Sequence, residues 1–226
     1  MESSEAIQAC EQQIEAALWG LEVPGEYEKA LEAYQAAHAR LLAMALSPEH
    51  VDYREQQRVL AFCLMREANI LRQMGRPNEA FLLSEQEIAA ARQSGDEITL
   101  GRSLMSKGAS HVAAGEVEYG LSLLDEAGEI FQYDTGYDYR QGLGWCWILQ
   151  VDLVHAGYVE KTPLEVIEMA NKALELLLPI QNWPGVARAF AGRALAYEHL
   201  GEPEAAEKDR QSQQEYQSRV SEDGSI

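Results

Sequence analysis

The sequence Met74-Gly75-Arg76-Pro77-Asn78-Glu79-Ala80 ends one stretch of helical apolar periodicity and begins another. Gly ends helices because it adopts a left-handed backbone without a steric penalty, and Pro is accepted in the first turn of the next helix. Comparable positions follow at Gly115, Gly157 and Gly201, spaced 40, 42 and 44 residues apart. A period of this length predicts a repeat protein whose helix pairs bury their apolar faces by stacking.

Residues at fixed distances before these Gly residues share their size and polarity. Seven residues before the Gly stands a small residue in three repeats, Ala68, Gly108 and Ala194, whereas the remaining repeat has Gln150. Apolar or aromatic residues recur four and eleven positions before most of the Gly residues, which is the spacing of one helix face. Each first helix is therefore predicted to be amphipathic and to approach its partner closely at the small residue.

With this pattern of small residues and Gly, the chain resembles the tetratricopeptide repeat (TPR). Segments 61–91, 101–131 and 187–216 match the pattern well, and segment 143–177 departs from it at Gln150. The period near 40 is similar to the longer repeats of bacterial signalling regulators, kinesin light chains and cell-polarity adaptors. The resemblance implies an all-α, right-handed α-α superhelix, a TPR-like solenoid of about five antiparallel helix pairs.

Composition agrees with an all-α fold, since 46% of the residues are hydrophobic, 24% are charged and strand signals are nearly absent. We predict one TPR-like domain over residues 1–220 and a disordered tail at 221–226. The predicted helices cover residues 3–20, 26–46, 50–74, 77–94, 97–114, 117–132, 138–156, 163–179, 184–200 and 203–219.

Several classes of protein are disfavoured by the sequence. No apolar stretch reaches the roughly 18 residues that a spanning helix needs, and no secretory signal is seen, so we expect a cytoplasmic protein. Cys10, Cys63 and Cys146 are odd in number and widely spaced, which favours reduced core thiols. No nucleotide-binding loop, nucleophile elbow or metal-ligand spacing is present. We therefore expect no enzyme activity, no catalytic or metal site and no cofactor.

The formal net charge of −19 makes nucleic acid and anionic membranes poor partners. The acidity fits either solubility or the steering of a basic partner. Basic residues concentrate between Arg54 and Lys107, where they form either a binding patch or a solvated helix face.

The TPR resemblance implies that the first helices line a concave groove that binds a peptide or protein segment. The apolar and Arg residues of that groove favour a partner with apolar anchors and acidic side chains. A carboxylate clamp is not expected, because the counterpart of Asn69 is Ala109. The predicted groove residues are Met65, Arg66, Asn69, Arg72, Arg102, Met105, Val112, Trp147, Val151 and Arg188.

Three alternatives remain open at this point. The apolar groove residues fit packing against the second helices or burial in a homodimer as well as they fit a binding groove. A regulatory domain that senses a small peptide is a third, less favoured alternative. His155 and His199 occupy matching positions of adjacent repeats and are predicted neighbours. Tyr133, Tyr137 and Tyr139 either insert into a partner or pack between repeats, and the sequence favours packing.

Overall fold

The computed structural model describes residues 3–223, with side chains described for residues 3–220. This part of the chain contains ten α-helices, one short π-helix and no strand, so the predicted all-α class is confirmed. The elements are α1 (Ser3–Ala17), π1 (Leu18–Glu22), α2 (Tyr27–Ala43), α3 (Tyr53–Gln73), α4 (Pro77–Ser94), α5 (Glu97–Ala113), α6 (Val117–Phe131), α7 (Tyr137–His155), α8 (Pro163–Leu177), α9 (Trp183–Leu200) and α10 (Pro203–Asp223).

The predicted helices agree with these elements to within about four residues at each end. At the C-terminus, α10 continues to Asp223, so the first half of the predicted tail 221–226 is helical. Residues 224–226, the rest of that predicted tail, lie outside the described residues.

Helix boundaries follow the local chemistry of the sequence. The side chains of Asp96, Thr162 and Asn182 are N-caps, and each accepts a hydrogen bond from the backbone N–H three residues later. Each such cap stabilises its helix by about 1 kcal/mol. At the other end of α3, Gly75 has a φ of +73°, and the N–H of Arg76 donates to the carbonyl of Leu71 at 2.8 Å. This pairing satisfies a terminal carbonyl group and stops the helix.

The contacts divide the chain into two compact units, Met1–Leu124 and Asp125–Ile226, here called unit 1 and unit 2. In unit 1, helices α1 to α5 each pack on the next, and α1, α3 and α5 also pack side by side. In unit 2, α7 packs on both α8 and α9, and α9 packs on α10. Stacked helix pairs are thus present within each unit. The single domain over residues 1–220 remains a prediction.

Gly108, one of the small residues predicted at helix crossings, lies against Gly120 where α5 and α6 approach each other. A Cβ atom added to Gly120 would lie 2.6 Å from the carbonyl oxygen of Gly108 and 2.5 Å from Cγ2 of Val112. These distances are shorter than van der Waals contact, so neither Gly position has room for a side chain. Gly at both positions allows the two backbones to approach each other.

The three Cys residues are free and buried, as predicted. Burial raises the pKa of the Cys63 thiol well above its ordinary value, and it raises that of Cys146 to about 12. The thiols are therefore unreactive core residues. Within the described part of the chain, no helix combines the length and the apolarity needed to cross a bilayer.

Candidate functional site

One face of unit 1 brings together several of the predicted groove residues. Phe62 and Met65 on α3 lie beside Arg102 at the start of α5, and together they line a shallow pocket. Asn69 follows Met65 by four residues and Met105 follows Arg102 by three, so each lies about one helical turn further along the same helix face. All five side chains are partly exposed. We call the surface formed by Phe62, Met65, Asn69, Arg102 and Met105 the α3–α5 face.

Arg66 does not offer a free guanidinium group at this face. Its Nε lies 3.0 Å from Glu22 Oε2, and its Nη2 pairs with the other oxygen of the same carboxylate. Glu22 also accepts a hydrogen bond of 2.7 Å from the hydroxyl of Tyr34. Burial and this hydrogen bond raise the pKa of Tyr34. Because π1 supplies the carboxylate from within the chain, Arg66 acts as an internal ion-pair partner.

The guanidinium group of Arg72 likewise forms its hydrogen bonds within unit 1. Its Nη1 donates to Ser110 Oγ at 2.6 Å and contacts the carbonyl of Ser106 at 3.4 Å, while Nη2 donates to Asn69 Oδ1. Both guanidinium groups therefore have partners within the chain, and the binding of an acidic partner by Arg66 and Arg72 stays a prediction. Both side chains are long enough to reach acceptors on neighbouring helices, and those acceptors satisfy them.

Glu87 on α4 lies in the same buried polar region as Arg72. Its Oε2 accepts a 2.9 Å hydrogen bond from Ser106 Oγ, whereas its Oε1 accepts none from the residues that the structure describes. Burial raises the pKa of this carboxyl to about 8, although Ser106, the charge of Arg72 and Ser103 act in the opposite direction. Burial therefore favours the protonated, neutral form of the Glu87 carboxyl.

Other cations of the Arg54 to Lys107 region are also paired. Arg58 pairs with Glu11 and Glu55 at 2.6 Å and 2.7 Å, and Lys107 pairs with Glu85 at 2.6 Å. Such pairs neutralise the local charge even where they add little stability. The α3–α5 face therefore has an apolar centre beside cations that already have acidic partners.

Two of the predicted groove residues lie in the core. Val112 is fully buried at the crossing of α5 and α6, and Val151 is 2% exposed. A Cβ atom added to Gly192 on α9 would lie 2.5 Å from Cγ1 of Val151, so α7 and α9 meet there. The prediction that Val112 and Val151 line an open groove is wrong, because neighbouring helices cover both of them. Gln150, the residue at which the sequence departs from the repeat pattern, directly precedes Val151 on α7.

The remaining predicted residues of unit 2 are engaged with their own helices. Trp147 is half-buried, with Nζ of Lys172 on α8 lying 4.7 Å from its ring centroid. Arg188 lies 2.9 Å from Oδ2 of Asp152, without the geometry of a hydrogen bond. Burial raises the pKa of Asp152, and the charge of Arg188 acts against that shift.

His155 and His199 are neighbours, as predicted, with ring centroids 6.4 Å apart. Nε2 of His155 lies 2.9 Å from the carbonyl oxygen of Gly192. Across the residues that the structure describes, no group of three or more His, Cys, Asp or Glu side chains is arranged to hold a metal ion. The histidine pair therefore gives no evidence for a metal centre.

Trp19 is an exposed aromatic residue of unit 1 that sequence reasoning did not single out. Its side chain is 54% exposed in π1, the element that also carries Glu22, the ion-pair partner of Arg66. The signal was present in the repeat register, because Trp19 precedes Gly25 by the same six residues that separate Asn69 from Gly75. A large exposed aromatic side chain in unit 1 is itself apolar surface that is available to a partner.

Comparisons with known proteins show the fold of the chain. No protein-family model matches it, and neither does any curated protein. The solved structure of BtubC (BKLC) from P. vanneervenii matches over 98% of this chain and 93% of its own, with a TM-score of 0.59 and 14% identity. A Podosopora anserina protein with nearly identical TPR-like repeats, described as a kinesin light chain, matches over 97% and 99%, with a TM-score of 0.51 and 16% identity. The chain therefore has a TPR-like fold.

Proposed function

We propose that this chain is a non-enzymatic protein-interaction module and that the α3–α5 face of unit 1 binds an apolar segment of a partner protein. The observation that supports the proposal most directly is the set of partly exposed Phe62, Met65 and Met105 side chains on two adjacent first helices. Apolar surface of this kind, on a rigid scaffold, is a common feature of binding sites.

The pairing of Arg66 and Arg72 further defines the chemistry of the proposed partner. Arg66 and Arg72 are held by Glu22 and by the acceptors around Asn69, so they contribute little attraction for acidic side chains. A partner carboxylate beside Arg66 or Arg72 would compete with the ion pair and the hydrogen bonds that these two residues already form. We therefore propose that recognition depends chiefly on apolar side chains, including Met or aromatic residues, packed against Phe62, Met65 and Trp19.

A substitution on the α3–α5 face tests this function. Met105→Glu is expected to reduce co-purification of partner proteins from an extract of the native cell by about tenfold or more, because a carboxylate buried against an apolar partner is desolvated. The matched control is Leu82→Glu, which adds the same charge at a 69% exposed position on α4, a second helix. Partner proteins recovered equally well with both variants would exclude the α3–α5 face.

The same two variants test the alternative that the face is buried in a homodimer. Light scattering of the purified wild-type protein would then give a dimer mass, and Met105→Glu alone would give a monomer. A monomeric wild-type protein that loses its partners in Met105→Glu supports the binding of a different protein.

A further inference from the structure

Two exposed Tyr side chains lie where α6 is connected to α7 in unit 2. Tyr133 is 85% exposed in the connector, and Tyr137, the first residue of α7, is 55% exposed. The expectation that these residues pack between repeats is wrong for both of them. Large aromatic side chains left in solvent, at a position where loops usually carry polar residues, are available to a partner.

Contacts on both sides of Tyr133 order the backbone of the connector. Phe131, immediately before the connector, is buried against α7, and a Cβ atom added to Gly142 would lie 2.3 Å from its ring. Asp134 Oδ1 accepts hydrogen bonds from the two following backbone N–H groups. Nε of Arg140 donates to the carbonyl of Thr135 at 2.8 Å. An ordered connector presents its aromatic side chain at a low entropic cost on binding.

The part of the chain that carries this connector is acidic. Glu126, Glu129 and Asp134 are all exposed near the connector. Arg140 is the only Lys or Arg between residues 125 and 141, and its Nε is bonded to the backbone. The faces of aromatic rings attract cations through their quadrupole, and nearby carboxylates add a longer-range attraction. The same charges repel phosphate groups, so the complementary occupant is a cationic peptide segment.

We propose that Tyr133 and Tyr137 form a docking surface for a Lys- or Arg-containing segment of a partner protein. The site lies entirely in unit 2 and does not depend on the α3–α5 face. Each Tyr contributes a ring face to a Lys or Arg side chain, and the acidic residues around the connector increase the rate of encounter.

A labelled Arg–Ser peptide, followed by fluorescence anisotropy at low salt, tests the proposal with the full-length chain. The double variant Tyr133→Ser/Tyr137→Ser leaves the net charge unchanged and is expected to weaken binding by about 5- to 20-fold, from two exposed cation–π contacts. Tyr133→Phe/Tyr137→Phe keeps both ring faces and is expected to bind as well as the wild-type protein. The control Tyr158→Ser removes a 44% exposed Tyr elsewhere in unit 2 and is expected to have no effect.

Three results would overturn the proposal. One is equal peptide affinity for the wild-type protein and the Ser double variant, which would mean that net charge alone attracts the peptide. Another is equal affinity for the same peptide with citrulline in place of Arg, because citrulline keeps the shape and removes the charge. The third is a loss of binding in the Phe double variant, which would assign recognition to the Tyr hydroxyl groups.

Discussion

Gly120→Ala is expected to lower the free energy of unfolding by about 2 kcal/mol or more, the cost of overpacking a crowded helix crossing. In an open helix the same change would stabilise the protein by about 1 kcal/mol, since Ala has the higher helix propensity. At position 120 the new methyl group meets the carbonyl oxygen of Gly108 at 2.6 Å and Val112 Cγ2 at 2.5 Å. The carbonyl belongs to the α5 backbone, so the two helices must separate.

The control for this prediction lies on the same helix. A Cβ atom added to Gly128 has its nearest neighbour, Nε2 of Gln132, at 3.9 Å, so Gly128→Ala is expected to leave stability unchanged or to raise it. Urea unfolding followed by circular dichroism compares the two variants, and hydrogen exchange of α5 and α6 locates the change. Equal stability of both variants would show that the α5–α6 crossing tolerates a side chain. Val112→Ala in the Gly120→Ala background should restore only part of the loss, since the carbonyl contact remains.

The repeat register predicted the helices and their crossings well for a physical reason. Helix ends depend on local chemistry, such as the left-handed backbone at Gly75 and the side-chain cap at Asp96, and a single sequence contains that information. The approach of α5 to α6 was also visible, because only small residues at positions 108 and 120 allow it. Packing of this kind is encoded in the size of residues at fixed spacing.

The candidate site was predicted less well, because the pairing and burial of its side chains are set by residues far away in the sequence. Arg66 lies on the predicted face, yet its partner Glu22 is 44 residues earlier in the chain. Val151 fell within the predicted groove, and only the position of Gly192 on another helix shows that it is covered. A repeat register assigns a residue to a helix face, but it does not report which long side chains find partners across neighbouring helices.

Glu87→Gln is expected to stabilise the protein at pH 8 and to have much less effect near pH 5. The folded wild-type carboxyl has a pKa raised to about 8, against an ordinary value of 4.5. Between these values the folded state keeps a proton that the unfolded state releases, so the wild-type free energy of unfolding falls as pH rises. Gln cannot ionise, so in the variant the free energy of unfolding no longer falls with pH for this reason. The difference between the proteins should reach a few kcal/mol by about pH 8.

Urea unfolding at intervals from about pH 5 to about pH 8 measures this difference, and Glu118→Gln is the matched control. Glu118 is exposed on α6, so its replacement is the same Glu→Gln substitution without the removal of a buried carboxyl. We expect the stability profile of Glu118→Gln to remain parallel to that of the wild-type protein, while that of Glu87→Gln becomes flatter. If Glu87→Gln were instead less stable at every pH, Glu87 would be an anion that stabilises the charge of Arg72, and the neutral buried carboxyl would be disproved. The two outcomes predict stability differences of opposite sign between Glu87→Gln and the wild-type protein at pH 8.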